Sequence, residues 1–337
     1  MNHLSNTSTQ LTGVKNLLRS LRKSHRNEGS SDEKARQIIT ELMNDKDLYK
    51  KMSKKEGEIW GKVFTDDKRK HAVEADQQAA QELDINRHKF SLMQVLNKHS
   101  YKPQTGLSLA CGSGRAERGL MQAGICSSFH AIDIADSALN EARKLAKQQT
   151  LNITYEKADL NELQLDRNAY DLVVTQNCLH HVLHLENLAE QIHLSLRTNG
   201  LLWIHDYIGE TQFQYDNERL NIVNEILSIL PKKYRFNSVT KRTIDKVIRR
   251  EPGTLISPFE AIRSADIMPV FLERFKVIEK HESASILHLV CPVGTRGNFT
   301  NTEEGKLLFE ILFMLDKLLI EKDVCSPQGG IYLLQAK

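Results

Sequence analysis

The segment Leu107-Ser108-Leu109-Ala110-Cys111-Gly112-Ser113-Gly114 constrains the fold of this chain more than any other. An apolar run enters a tight loop of small residues, and a helical pattern follows from Arg115 to Ala123. A loop without large side chains lets a ligand approach its backbone, and a helix N-terminus supplies N–H groups that have no partner within the helix. From Gly106 onward the rhythm repeats. Short apolar runs near 106–110, 128–132, 152–157, 170–175 and 200–205 alternate with helical patterns. That alternation predicts βα units around a doubly wound, mostly parallel sheet, an α/β fold. Between the last two runs Leu185, Leu188, Ile192 and Leu196 recur at helical spacing, and Asn199-Gly200 is the expected stop.

Two stretches stand outside this rhythm. Residues 1–100 are polar and helix-prone, with a charge-dense stretch around Lys50 to Lys70 that reads as a solvated face. Residues 209–265 open with Leu220, Val223, Ile226, Leu227 and Leu230, a helix expected to end before Pro231. A basic segment follows, with Lys232, Lys233, Arg235, Lys241, Arg242, Arg249 and Arg250, then Pro252-Gly253 and Pro258. This reads as an insertion above the sheet, a lid or acceptor region. Alternation resumes with strands at Phe275 to Lys280 and Ile286 to Val290, a helix from Thr302 to Lys322, and a last strand from Ile331 to Gln335. The expected organisation is a helical region over 1–100 and one main domain over 101–337, carrying the insertion at 209–265.

Composition narrows the function classes. With 46 Lys+Arg against 43 Asp+Glu in 337 residues, the net charge of +3 is too small to argue for nucleic acid as an obligatory partner. The five cysteines, Cys111, Cys126, Cys178, Cys291 and Cys325, form no C-x-x-C pair and are odd in number. They read as small core residues in a reducing compartment, not as a disulfide framework or zinc site. The apolar stretch Leu307 to Ile320 carries Glu310, Asp316 and Lys317, so it predicts an amphipathic helix, short of the ~20 apolar residues of a membrane span. No acidic residue precedes Glu28, and Lys15, Arg19, Arg22, Lys23 and Arg26 oppose Leu11, Val14, Leu17, Leu18 and Leu21. That pattern reads as a helix docking its leucines on the domain, with a targeting or membrane-surface helix as the alternative. The expected location is the cytoplasm.

The loop's ligand is narrowed by what surrounds it. Asp133 ends the apolar run Phe129-His130-Ala131-Ile132 and lies 19 residues past Gly114. An acid at the tip of the second strand is placed to accept hydrogen bonds from ribose hydroxyls, a helix cap being the plainer alternative. A dinucleotide site prefers Gly-x-Gly-x-x-Gly, and Glu117 occupies the third glycine position. A carboxylate there opposes a pyrophosphate at the helix N-terminus. An adenosine ligand without phosphate fits better, which disfavours a nicotinamide-dependent oxidoreductase.

These residues together resemble the class I S-adenosylmethionine-dependent methyltransferases. The glycine-rich loop matches the family's first motif, and Asp133 matches its ribose-binding acid. Ala158-Asp159-Leu160 falls where the family contacts adenine, and Tyr170-Asp171-Leu172-Val173-Val174 is similar to its fourth strand. Gln176-Asn177-Cys178-Leu179-His180-His181-Val182 resembles the segment that follows that strand. The resemblance covers about 105–207 motif by motif, and the closing strands to 337 more loosely. It implies a seven-stranded sheet and S-adenosylmethionine as cofactor, held by Ala110, Cys111, Gly112, Gly114, Asp133, Ile134, Asp159, Leu160, Gln176 and Asn177. Two positions depart from the family pattern. Ser108 stands where an acid is usual, and Ala110 where the first glycine is usual, a change that costs little unless φ is positive there.

Methyl transfer from a sulfonium is an in-line displacement with a neutral leaving group. That chemistry requires no metal and no covalent intermediate, and none is expected. Alignment of the reactants alone is worth up to ~7–11 kcal/mol. A hydroxyl acceptor also needs a base for its proton. His180 and His181 follow the fourth strand, and His205-Asp206-Tyr207 closes the fifth. Successive strand residues face opposite ways, so one of His205 and Asp206 at most points into the site. Asp206 and His181 are the expected acceptor-side residues, with His180 a packing residue. The basic segment reads either as a recognition surface for an anionic acceptor or as a solvated face. Tyr207, Phe213, Tyr215 and Tyr234 read either as a wall for a sugar or as core. Gln176-Asn177-Cys178-Leu179 lacks the Asn/Asp-Pro-Pro-Tyr/Phe signature of enzymes that methylate nucleic-acid amines, which disfavours nucleic acid again. The expected function is methyl transfer to a hydroxyl oxygen of a small molecule or carbohydrate. The alternatives are N-methylation of a small molecule or protein, and a non-catalytic cofactor-binding module.

Overall fold

Apolar runs of five to seven residues flanked by helical patterns are long enough for buried strands, and a computed structural model shows them as such. It describes residues 30–87 and 89–337. The basic pattern over 11–26 lies outside the described residues. Helices α1 (Ser30–Asn44), α2 (Lys46–Thr65), α3 (Asp67–Glu82) and α4 (Leu92–Lys98) come first. Asp45 caps α2 by accepting the N–H groups of Asp47 and Leu48, and Ser91 with Gln94 forms a capping box on α4.

The α/β part then runs β1 (Thr105–Leu109), α5 (Arg115–Gln122), β2 (Ser128–Asp133), α6 (Asp136–Gln148), β3 (Ile153–Lys157), β4 (Tyr170–Gln176), α7 (Leu185–Ser195) and β5 (Leu196–Tyr207). The insertion supplies α8 (Asn217–Ile229), the single turn α9 (Lys232–Arg235) and a small hairpin, β6 (Phe236–Asn237) with β7 (Arg242–Thr243). The chain closes with α10 (Ile267–Arg274), β8 (Phe275–Ser283), α11 (Leu287–Val290), α12 (Gly297–Thr300), α13 (Glu303–Glu321) and β9 (Gly329–Ala336).

The main sheet has seven strands in the order β3-β2-β1-β4-β5-β9-β8. β9 runs antiparallel to both its neighbours, and the five strands from β3 to β5 are mutually parallel. The chain winds outward from β1 to β3 and then crosses back to β4. That reversal opens a crevice beyond the carboxyl ends of β1 and β4, where doubly wound folds bind ligands. Alternating strand residues feed two cores. Leu107, Val173, Leu202 and Ile204 meet α7 and α10, while Leu172, Val174 and Trp203 meet α4. A separate apolar cluster joins α8 to α11, α12 and α13, so the insertion is seated on the C-terminal helices.

Two expectations are corrected. Helix α7 ends at Ser195, and Asn199-Gly200 lies inside β5, where the pairing with β4 slips between Tyr170↔Leu196 and Leu172↔Leu201. Asn199, at φ 66°, supplies a strand irregularity there and not a helix stop. The strand expected at Ile286 to Val290 is the helical turn α11, because Asp316 Oδ1 on α13 accepts the N–H groups of Ile286 (2.6 Å) and Leu287 (2.8 Å). Among the described residues no helix is long and apolar enough to cross a membrane. All five cysteines are free, and four of them are buried.

Candidate active site

The loop after β1 is built on left-handed backbone. Ala110, Gly112 and Gly114 have φ of 49°, 55° and 77°. A Cβ on Gly114 would lie 2.4 Å from the Tyr155 hydroxyl and 2.8 Å from Glu117 Oε1, so only glycine fits. Ala110 takes the left-handed turn with a side chain in place, a conformation that costs about 1–2 kcal/mol. The departure from glycine at this position therefore has a price in strain. Asp133 ties the loop to β2: Oδ2 accepts the Gly112 N–H and Oδ1 the Ala135 N–H, both at 2.8 Å. Burial raises its pKa against the opposing effect of these N–H groups. A carboxylate has lone pairs to spare beyond those two bonds.

Glu117 does not face the ligand. Its side chain is fully buried, with Oε2 accepting from Ser108 Oγ at 3.1 Å, beside Tyr155 and Arg118. Burial pushes its pKa up. The repulsion expected against a pyrophosphate is thus turned inward, which removes that argument. The same contact restores an acid beneath the loop, since Ser108 on the strand is paired with a carboxyl from α5.

Asp159 follows β3 and is held from two sides. Oδ2 accepts the Tyr49 hydroxyl (2.6 Å) and Ser53 Oγ (2.5 Å), both from α2, and Oδ1 accepts the Asn161 backbone N–H at 2.9 Å. Asn161 Oδ1 in turn accepts the N–H groups of Leu183 (2.7 Å) and His184 (2.9 Å), linking this turn to the one after β4. Asn177, at φ 52°, ends β4 with its N–H on the His205 carbonyl.

These elements enclose one chamber of about 910 Å³, near the upper end of the range for ligand cavities. Ala110, Cys111, Gly112, Asp133, Ile134, Asp159, Leu160, Gln176 and Asn177 line it. Gly114 does not, although its neighbours Ser113 and Arg115 do. The far end is formed by Glu56 and Trp60 of α2, by His180 and His181, and by Phe259 of the insertion.

Asp206 is not in the wall. Its carboxylate is buried under the turn after β4: Oδ2 accepts the N–H groups of Cys178 and Leu179 at 2.8 Å each, and Oδ1 accepts from Tyr207 N–H and His180 Nδ1. Burial alone would raise its pKa, but the His180 ring and the backbone donors hold it below the ordinary carboxylate range. The expected substrate contact is corrected to a support for His180, and His180, expected to be a packing residue, faces the chamber. His181 Nδ1 lies 2.9 Å from Glu56 Oε1. Glu56 also accepts from Trp60 Nε1 (2.8 Å), Ser257 Oγ (2.9 Å) and the Phe259 N–H (3.1 Å). Glu260 Oε1 stands 3.7 Å from His180 Nε2.

None of Lys232, Lys233, Arg235, Lys241, Arg242, Arg249 and Arg250 lines the chamber. Lys233 pairs with Glu304, Arg235 donates to the carbonyls of Leu230 and Ile244, and Arg249 donates to the Tyr215 carbonyl. Tyr207, Phe213, Tyr215 and Tyr234 are also absent from the wall, and Tyr234 stacks on Phe299. The chamber's aromatic groups are Trp60 and Phe259, which sequence reasoning missed along with Glu56 and Glu260. The signals for them were the charge-dense stretch around Lys50 to Lys70, read as a solvated face, and the insertion at 209–265, read as a lid or acceptor region.

Comparison with known proteins gives the same picture. Residues 107–200 match a family described as "Methyltransferase domain". The chain is 23% identical over 188 residues to the ubiquinone biosynthesis O-methyltransferase of Coxiella burnetii, covering 55% of this chain and 75% of that protein. It is 27% identical over 150 residues to N-terminal Xaa-Pro-Lys N-methyltransferase 1-A of Xenopus laevis, covering 43% and 66%. The solved structure of Haemonchus contortus phosphoethanolamine N-methyltransferase 2 in complex with S-adenosyl-L-methionine superposes with a TM-score of 0.44 at 14% identity, over 82% of this chain and 60% of that one. The residues present fit S-adenosylmethionine: the small residues Ala110, Cys111, Gly112 and Ser113 bring loop backbone to the chamber wall, and carboxylates stand at the ends of β2 and β3 beside a chamber of suitable size. Residues 107–200 thus form a methyltransferase domain, and the residues lining the chamber fit S-adenosylmethionine as the methyl donor.

Proposed function

We propose that this enzyme methylates a hydroxyl oxygen of a small acceptor bound at the far end of the chamber, between the cofactor loop and the imidazole pair. One observation carries the reading: His180 Nδ1 is committed to Asp206, so the basic nitrogen of the ring is Nε2. S-adenosylmethionine, when bound, supplies an electrophilic methyl group whose C–S bond breaks as the C–O bond forms, and it leaves as a neutral thioether. The chain's residues then have separate tasks. Asp133 and Asp159 supply carboxylates to the cofactor's polar groups, and the loop backbone admits it closely. Trp60 and Phe259 give the acceptor end apolar walls suited to a ring, a phenol or a sugar face. His180 holds a lone pair where a hydroxyl proton is lost. The basic segment of the insertion lies outside the chamber, so the reading does not require an anionic acceptor.

The test is release of S-adenosylhomocysteine against a panel of phenols, sugars, carboxylates and amines. Turnover with hydroxyl acceptors, reduced ~10²–10⁴-fold in His180→Ala with cofactor affinity retained, is the expected result. Turnover confined to amines refutes the reading.

A further inference from the structure

We propose that His180, His181 and Glu260 form a binding site for one divalent transition-metal cation at the acceptor end of the chamber. The inference rests on the hydroxyl-methylation reading and deepens it, because the cation would hold the acceptor oxygen. By taking the His180 Nε2 lone pair, it would also replace that nitrogen as the group that promotes loss of the hydroxyl proton.

Three observations converge. First, one ligand atom from each of the three side chains lies within 4.8 Å of the other two. Glu260 Oε1 and His180 Nε2 are 3.7 Å apart, too far for a hydrogen bond. Two ligands of one such ion, each at about 2.1 Å, stand roughly 3–3.5 Å apart, so small side-chain rotations close the set. Second, the Nδ1 atoms of both rings are turned to carboxylates, His180 to Asp206 and His181 to Glu56. A carboxylate at the second nitrogen is the support metal-ligating histidines use: His180 has it as a hydrogen bond to Asp206, and His181 has Glu56 Oε1 at 2.9 Å. Third, charge is unbalanced. Three carboxylates, Asp206, Glu56 and Glu260, surround the two rings, and the ion pairs described for them run to these imidazoles alone. A divalent cation offsets that excess.

The donor set also selects the ion. Two imidazoles and one carboxylate suit zinc, manganese or ferrous iron, whereas magnesium prefers an all-oxygen shell. Three protein ligands leave positions open, as catalytic sites do, and His180 and His181 lie in the chamber wall. A hydroxyl bound at an open position would be more acidic and would pass its proton to solvent, leaving its oxygen ready for the methyl group.

The test is calorimetric titration of the full-length, chelator-treated protein with ZnCl2, MnCl2 and MgCl2 in separate arms. The expected result is one zinc or manganese ion per chain, with magnesium at least ~100-fold weaker. His181→Ala and Glu260→Gln should each weaken binding by at least ~10-fold. S-adenosylmethionine affinity, unchanged in both variants, serves as the folding control. No zinc or manganese binding, equal binding of magnesium, or unchanged affinity in both variants overturns the site. Hydroxyl turnover that persists in excess EDTA overturns the cation while leaving O-methylation standing. The expected metal binding with turnover confined to amines does the reverse.

Discussion

Replacing Asp206 by Asn separates a supporting role from direct contact with the acceptor. The wild-type carboxylate receives four donors, two on each oxygen: the N–H groups of Cys178 and Leu179 on Oδ2, and Tyr207 N–H with His180 Nδ1 on Oδ1. An amide has one oxygen. Turned toward His180, that oxygen would strand the two N–H groups of the turn after β4. Turned toward Cys178 and Leu179, it leaves the NH2 facing Tyr207 N–H and His180 Nδ1. The ring adapts by moving its proton to Nε2, so one donor, Tyr207 N–H, is left unpaired. A buried donor without a partner costs about 1–3 kcal/mol, which is the expected loss of stability in urea denaturation. The matching signature is a switch of His180 to the Nε2–H tautomer, read from its ring 15N shifts. If stability falls by less than ~0.5 kcal/mol and the His180 tautomer is unchanged, the reasoning fails and Asp206 is not the support.

Other outcomes follow from the same geometry. Asp133→Ala removes the acceptor of the Gly112 and Ala135 N–H groups and one polar contact for the cofactor, so S-adenosylhomocysteine should bind ~5–150-fold more weakly by calorimetry, about 1–3 kcal/mol. Tyr49→Phe deletes a hydroxyl that donates to Asp159 at 2.6 Å, and a loss of about 1.5–3 kcal/mol in denaturation is the expected price of that charged hydrogen bond. For pH, burial pushes the His288 pKa down to about 3 from 6.5. The native ring stays neutral while the unfolded chain takes up a proton below pH 6.5, so stability falls as pH drops from there toward 3, by up to ~1.4 kcal/mol per unit. His288→Gln should flatten that acid limb, and an unchanged slope between pH 6 and 4 would show that His288 does not cause it.

What the sequence disclosed was local. The run Leu107 to Gly114, the acid at Asp133 and the apolar strands each carry their signature within a few residues, so the doubly wound sheet and the cofactor end were legible. The positive φ of Ala110 was not, because alanine carries no mark of a left-handed turn. Asn199-Gly200 misled for a related reason: the same dipeptide serves a helix stop and a strand irregularity, and pairing with β4 decides between them. On β5, alternation correctly limited His205 and Asp206 to one inward candidate. It could not show that the turn after β4 folds over Asp206 and takes its carboxylate for itself. Glu56, Trp60, Phe259 and Glu260 reach the site from segments about 200 residues apart in sequence. No periodicity registers a meeting at that range.

The span that matches the methyltransferase family, 107–200, contains the loop, Asp133, Asp159 and both imidazoles, but neither Glu56 nor Phe259. The donor half of the chamber and the imidazole pair therefore lie within the matched span, and the rest of the acceptor end comes from outside it. From outside that span, Glu56 fastens α2 to Ser257 and Phe259 by two hydrogen bonds and to His181 by a third polar contact. A substitution at Glu56 therefore reaches three parts of the acceptor end at once: helix α2, the 257–259 segment and the His181 ring.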